Sequence, residues 1–252
     1  MTSETTTQPE PPSPPAPTGV PRELIAGARL VLWDFDGPLC RLFAPGSAER
    51  VAAELVELLD AHGRTDLLTP AERAVPDPWA VLRAVHARDP GGTLPAVLDE
   101  RLADREAGAV ATAMPAAYAD PVIRTWTAVG ARMAVTAHTS ARAVAAYLAT
   151  RGLTGCFGGR VHARTPAHPG PDTVRRALAA SGVPPAEALA VGSLPAHHEA
   201  ARAAGVPFLG VTPVEPRAHA LRAAGAPVVL PSLAPLLPVL RTVSVREVGA
   251  AG

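Results

Sequence analysis

Val31–Leu39 reads VLWDFDGPL, and this stretch decides how the rest of the chain is read. Leu30-Val31-Leu32-Trp33 is a short, continuous apolar run that ends at Asp34. Unbroken apolar character suits a strand buried on both faces, as in a parallel sheet, better than the alternation of a half-exposed strand. Asp34 and Asp36 stand one residue apart where the run ends, and a Gly37-Pro38 turn follows. At a strand end both carboxylates can face one crevice, where one attacks an electrophile and the other handles protons. A calcium loop also starts with D-x-D-G. It needs further oxygen ligands and a later glutamate, and Pro38, Leu39 and Cys40 supply none. A plain charged turn is a second bland reading, and the apolar strand directly upstream weighs against it.

Outward from this stretch, strand-like and helix-like segments alternate. Met133-Ala134-Val135, ending near Thr136, Ala188–Val191, ending at Gly192, Phe208–Val211 and Val228–Leu230 are further apolar runs. Between them, Ser140 is placed to N-cap a helix carrying Val144, Tyr147 and Leu148, with Gly152 as its stop. A second helix runs from Asp172 to a stop at Gly182, and a third from His197 to Ala204. Strand-helix-strand alternation predicts an open α/β sheet. Residues 45–117 break the rhythm with three helical patterns and no strong strand. Ser47 caps the first, with Val51, Leu55, Leu58 and Leu59 on one face; the second surrounds Trp79, Leu82 and Val85; the third carries Val97, Leu98, Leu102 and Val110. This is a helical insertion after the first strand, over the carboxyl ends of the strands, where such sheets bind ligands. Tyr118, Trp126 and Trp79 read as packing residues.

Composition excludes several classes. The chain has 252 residues, enough for one large domain or two small ones, and 23 basic residues balance 23 acidic ones. A nucleic-acid partner is not expected without a basic excess. Every basic residue is arginine, and lysine and asparagine are absent, so chemistry that requires a lysine must be done otherwise or not at all. Cys40 and Cys156 cannot build a disulfide scaffold. No apolar run reaches the roughly 18 residues of a membrane span, and the N-terminus lacks the order of a signal peptide. A cytoplasmic protein with no membrane association is expected. Residues 1–21 carry seven prolines and little to bury, and read as a disordered tail.

The motif and its surroundings resemble the haloacid dehalogenase (HAD) superfamily, specifically its phosphatase-like members with a helical cap. The resemblance runs from about Leu30 to Leu240. It implies a Rossmann-like, doubly wound parallel sheet with a small helical cap inserted after the first strand. The core is then residues 22–44 and 118–245, and the cap residues 45–117. DFDGPL is close to the family's first motif, which implies Asp34 as the nucleophile that forms an aspartyl-phosphate. Asp36 is then the acid that protonates the leaving oxygen and afterwards activates water. The second aspartate favours the phosphatase branch over the dehalogenase branch. The resemblance implies Mg²⁺ held by the Asp34 carboxylate, the Asp36 carbonyl and the motif IV position, here Ser193, and a phosphoryl group held by Gly37, Thr136 and His168.

The other motifs depart from the pattern. Thr136 has the right chemistry for motif II, yet ungapped matching of RMAVTAHTSARAV puts Ala137 at the position. A one-residue slip turns a strand side chain to the other face. AHPGPD puts His168 where motif III has lysine, with Arg164 four residues earlier as another cation within reach. GSLPAH puts Ser193 and His197 where motif IV has two acids, and Glu199 falls on the wrong side of its helix. Mg²⁺ wants carboxylates; a His-containing site suits Zn²⁺ or Mn²⁺. His138, His197 and His198 are candidates to crowd one mouth of the crevice. Two functions follow. One is a divergent phosphomonoesterase acting on a small phosphorylated metabolite. The other is a catalytically impaired pseudoenzyme that binds a ligand or a protein partner. A third, a different hydrolytic or transfer reaction that uses Asp34 without Mg²⁺, stands behind them.

Overall fold

The computed structural model describes residues 22–165 and 172–249. Eight strands occur among the described residues: β1 (Leu30–Asp34), β2 (Cys40–Arg41), β3 (Met114–Pro115), β4 (Arg132–Ser140), β5 (Val161–Arg164), β6 (Ala188–Gly192), β7 (Phe208–Val211) and β8 (Val229–Leu230). Six of them form one sheet in the order β5-β4-β1-β6-β7-β8, and every pairing in it is parallel. The chain winds from β1 outward to β4 and β5, then returns past β1 to build β6, β7 and β8. This is the doubly wound Rossmann order, and its switch point lies between β1 and β6.

All five β1 side chains are buried, which is what an unbroken apolar run on a central strand requires. Alternate residues feed two cores. Val31 and Trp33 join the larger one with Val135, Leu189 and Leu209. Leu30 and Leu32 join the smaller one with Ala134, Ala190 and Phe208, under the helices Thr173–Ser181 and Glu215–Ala223. Helices therefore cover both faces, the condition for an all-parallel sheet.

Between β2 and β3 the chain is helical: Ser47–Ala61, Pro70–Arg73, Pro78–Arg88 and Thr93–Ala109, with short 3₁₀ turns. β2 and β3 pair antiparallel, Cys40 opposite Pro115, so this ribbon joins the outgoing and returning chain. Three local expectations are corrected. Ser47 is the first residue of its helix, and Gly46 in the left-handed region precedes it with no side-chain cap. Val97 is exposed, and Leu94 with Leu98 and Leu102 carries the buried face of the third helix. Tyr118 is 52 % exposed at φ 66°, so it does not pack, whereas Trp126 is buried edge-on to Trp33. Ser140 caps Ala141–Thr150 as expected, accepting from the Ala143 amide. The Pro-rich stretch 1–21 and His168 lie outside the described residues. Among those described, no helix is long and apolar enough to cross a membrane.

Candidate active site at the switch point

Asp34 ends β1, and Ser193 follows directly on β6, so both lie at the switch point. Past Asp34 the Phe35 amide still donates to the Thr136 carbonyl, at 3.1 Å. The turn then closes tightly: the Gly37 amide donates to the Cys40 carbonyl at 2.6 Å, and the Cys40 amide to the Phe35 carbonyl at 3.2 Å. Gly37 sits at φ 123°, and a Cβ there would lie 2.8 Å from the Ser193 Cβ and closer still to its hydroxyl. Only glycine fits, because the backbone conformation is left-handed and the opposite loop leaves no room. The turn sets Asp36 so that its Oδ1 accepts from the Leu42 amide at 3.2 Å.

Both aspartates have carboxyls pushed above their ordinary range. For Asp34 the main cause is burial, then the negative charge of Asp36, with the Phe35 amide opposing them. For Asp36 burial dominates, opposed by the Leu42 amide and the guanidiniums of Arg217 and Arg41. The negative charge of Asp36 thus raises the proton affinity of Asp34, so in the free protein the proton of the pair rests on Asp34. Asp34 is only 8 % exposed.

The groups around Asp34 are occupied. Its Oδ2 lies 3.4 Å from His197 Nδ1 and makes no hydrogen bond among the described residues. His197 Nδ1 accepts from the Ser193 amide at 3.2 Å. Burial, with His138 nearby, holds the imidazole down to about 3, so it is neutral at ordinary pH. Burial likewise takes His138 down to about 4. The Ser193 hydroxyl donates to the Asp36 carbonyl over 3.4 Å. Thr136 pairs with Asp34 in the β1–β4 register, but its hydroxyl donates to the Trp33 carbonyl at 3.3 Å. Thr136, His138 and His197 line a gap of about 30 Å³, room for a water molecule. Ala137 turns into the larger core. His198 does not join the other two histidines; it packs on Phe208, ring centroids 5.1 Å apart. Glu199 is exposed, as its helical position implies.

The donor set does not fit Mg²⁺. Asp34 supplies one carboxylate. The Asp36 carbonyl is taken by a hydroxyl, and the neighbouring nitrogen is a neutral imidazole already accepting an amide. Among the described residues no group of three or more His, Cys, Asp and Glu side chains is placed to hold a metal. A hard, strongly hydrated dication is not bound by such a set.

Arg164 is committed elsewhere. Its Nη1 donates to Glu106 Oε1 at 2.6 Å and to the His138 carbonyl at 2.7 Å, and its Nε to Asp99 Oδ1 at 2.7 Å. Glu106 is fully buried and also accepts from Trp79 Nε1 and from the Ser140 amide, both at 2.8 Å. This network joins the helices Pro78–Arg88 and Thr93–Ala109 to β4 and β5. Sequence reasoning missed it, although a signal was present: Leu94, Leu98, Leu102 and Glu106 recur every fourth residue, which places the glutamate on the buried face.

On the other side of the switch point, Asp36, Gly37 and Ser193 line a cavity of about 420 Å³, within the range of small-molecule sites. Arg41, Met114, Val214, Arg217 and Leu233 complete much of its wall. No motif marks Arg41 and Arg217, which come from a ribbon and a helix far apart in the chain.

Neither a scan of protein-family models nor a search of curated proteins finds a match. Solved structures do match. A predicted phosphatase from Clostridium acetobutylicum superimposes with a TM-score of 0.59 at 13 % identity, over 83 % of this chain and 96 % of its own. A HAD family hydrolase from Deinococcus radiodurans, solved with bound phosphate and sodium, gives a TM-score of 0.55 at 23 % identity, over 86 % and 97 %. A haloacid dehalogenase-like family hydrolase from Streptococcus pneumoniae gives 0.59 at 13 %, over 86 % and 99 %. The fold is that of the HAD superfamily.

Proposed function

We propose that the chain is a HAD-type phosphomonoesterase of reduced catalytic equipment, acting on a small phosphorylated metabolite at Asp34. The observation that carries this reading is the Asp34/Asp36 pair, set by the Gly37 turn at the switch point, with both carboxyls above their ordinary range. Asp34, once ionised, attacks phosphorus, and the ester P–O bond breaks as the aspartyl–phosphate bond forms. Asp36, which takes up the Asp34 proton when the substrate binds, gives it to the leaving oxygen. Asp36 then takes a proton from water as that water attacks phosphorus, which releases phosphate and restores Asp34. The helices of residues 45–117 act as the cap that closes over the substrate. A phosphate-holding neighbour of the same fold supports a phosphoryl ligand here. Residues 22–44 and 118–245 form the core in this reading, and Gly37 and Thr136 flank the phosphoryl group.

A second reading is favoured by specific contacts. Ser193 on the Asp36 carbonyl and His197 beside Asp34 fill the positions from which charge on the phosphoryl oxygens would be stabilised. Loss of one such stabiliser costs about 10²–10³-fold in rate, so a ligand-binding protein with little turnover is the alternative.

Hydrolysis of an aryl phosphate, with and without Mg²⁺ or Mn²⁺, decides between them when Asp34→Asn is run alongside. Turnover above that of the variant supports the esterase, and turnover independent of either metal is expected. Equal rates in the two proteins support the binding reading.

A further inference from the structure

The 420 Å³ cavity holds two cations that the fold does not use. Arg217, on the helix Glu215–Ala223, makes no side-chain hydrogen bond or ion pair among the described residues. Arg41, on β2, donates only to Met114 Sδ, at 2.8 Å, and a thioether is a weak acceptor. The contrast with their neighbours is local. Arg222, on the same helix as Arg217, pairs with Glu215 at 2.9 Å. Some arginines elsewhere on the surface pair with carboxylates as well, among them Arg29, Arg142 and Arg151; what sets Arg41 and Arg217 apart is that they share one cavity. The one acid in the cavity wall is Asp36, whose charge both guanidiniums favour. Asp36 is held by the Leu42 amide and reaches neither arginine by hydrogen bond.

Apart from the hydroxyls of Ser193, Thr212 and Ser232, the rest of the wall is apolar, and part of it is open to water. Met114 is 55 % exposed and Val214 43 %, and Val211 and Leu233 lie with them in the lining. Exposed apolar side chains next to unpaired guanidiniums, around a concave space of ligand size, are the ingredients of a site for an amphipathic anion. A guanidinium fork matches a phosphate or a carboxylate in two-point fashion, and the apolar wall suits a hydrocarbon or aromatic body.

We infer that this cavity binds a small organic anion, its phosphate or carboxylate group between Arg41 and Arg217 and its apolar body on Met114, Val214 and Leu233. The inference stands apart from the esterase reading, because neither Asp34 nor Thr136 lines this cavity; it names the class of ligand that the cavity takes. An inorganic ion satisfies the arginines alone, whereas an organic anion satisfies the arginines and the wall.

Calorimetric titration of the full chain tests it, with phenylphosphonate as a non-hydrolysable probe and inorganic phosphate as the control. Phenylphosphonate is expected to bind at least tenfold more tightly than phosphate. Arg41→Gln and Arg217→Gln are each expected to weaken it about tenfold, the size of one charged hydrogen bond. Arg222→Gln, on the same helix but paired with Glu215, is expected to leave it unchanged. Both cavity arginines are exposed, so these variants keep the fold, as their unfolding midpoints will show. No binding, equal affinity for the two probes, or affinity untouched by both cavity variants overturns the inference. The two proposals fail separately. Arginine-dependent binding without Asp34-dependent hydrolysis removes the esterase and leaves the site. Asp34-dependent hydrolysis whose KM ignores both arginine variants does the reverse.

Discussion

Removing the Glu106 carboxylate will cost the protein more stability than any other single charge deletion in the helical segment. The glutamate is fully buried and accepts three hydrogen bonds of 2.6–2.8 Å, from Arg164, Trp79 and the Ser140 amide. In Glu106→Ala, Arg164 keeps Asp99 and the His138 carbonyl. It loses its shortest partner, at a side-chain exposure of 2 %. The buried Ser140 amide and the half-buried Trp79 Nε1 lose their acceptor as well. Breaking a buried pair from one side costs about 3–5 kcal/mol, and each orphaned donor adds to it less than its isolated cost of about 1–3 kcal/mol. A loss of about 3–5 kcal/mol corresponds to roughly 6–20 °C in Tm for a chain of this size. Urea unfolding followed by tryptophan fluorescence reads it as a lower midpoint at unchanged slope. The double variant Glu106→Leu with Arg164→Met removes both charges at once. It is expected to lose at least about 1.5 kcal/mol less than the sum of the two single losses, because neither partner is left buried alone. A Glu106→Ala loss under about 1 kcal/mol, or additivity within about 0.5 kcal/mol, refutes the argument that this network ties the helices to the sheet.

Three further outcomes follow from the site. The raised carboxyl of Asp34 means that the folded state holds this proton more tightly than the unfolded chain, so its burial costs nothing below the unfolded pKa of about 3.9 and costs progressively more as pH rises toward the folded value. Asp34→Asn is therefore expected to stabilise the protein at pH 7 and to make little difference near pH 4; denaturation at the two pH values checks it, and an equal effect at both contradicts the assignment. Ser193→Asp adds a second acid beside Asp34 and breaks the hydroxyl contact to the Asp36 carbonyl. The variant is expected to melt below the parent without metal and to gain Tm with millimolar Mg²⁺, whereas the parent shows no Mg²⁺ shift. Gly37→Ala is expected to cost at least about 1–3 kcal/mol from its φ of 123° and the collision with Ser193, and Ser193→Gly to restore only the collision's share, as read by a double-mutant cycle of unfolding free energies.

The sheet was legible because its strands are short apolar runs with both faces buried, and such runs are visible one at a time. Leu30–Trp33, Ala188–Val191 and Phe208–Val211 all became strands within a residue of the expected ends. β5 was not legible. Its sequence, VHAR, has two half-buried residues, and it earns its place through pairing with β4 rather than through hydrophobicity. β4 runs on to Ser140, past the apolar stretch that suggested an end near Thr136, because its later residues serve the buried network and the helix cap. The two-residue ribbon of β2 and β3 is too short for any periodicity, and only closure of the inserted helices defines it.

The site divides along the same line. Asp34, Asp36 and Gly37 are contiguous, and one turn fixes their geometry, so their sequence spacing carries the information. What each remaining polar group does depends on a partner from elsewhere in the chain. Thr136 has the right hydroxyl and the right register opposite Asp34, yet the nearest acceptor is the Trp33 carbonyl. Arg164 stands four residues before His168 in sequence, yet a glutamate 58 positions away claims it. Arg41 and Arg217 carried no motif at all and come together only because β2 and the helix after β7 border one cavity, which Ser193 after β6 and Val211 of β7 also line. Cations can be counted in a sequence, but their availability is decided by which carboxylates the fold brings within 4 Å of them. Here the fold neutralises the arginine nearest to motif III and leaves two beside Asp36 without an ion-pair partner. Among the described residues, guanidinium charge without an ion-pair partner thus stands beside Asp36 on the side of the switch point that faces β7 and β8.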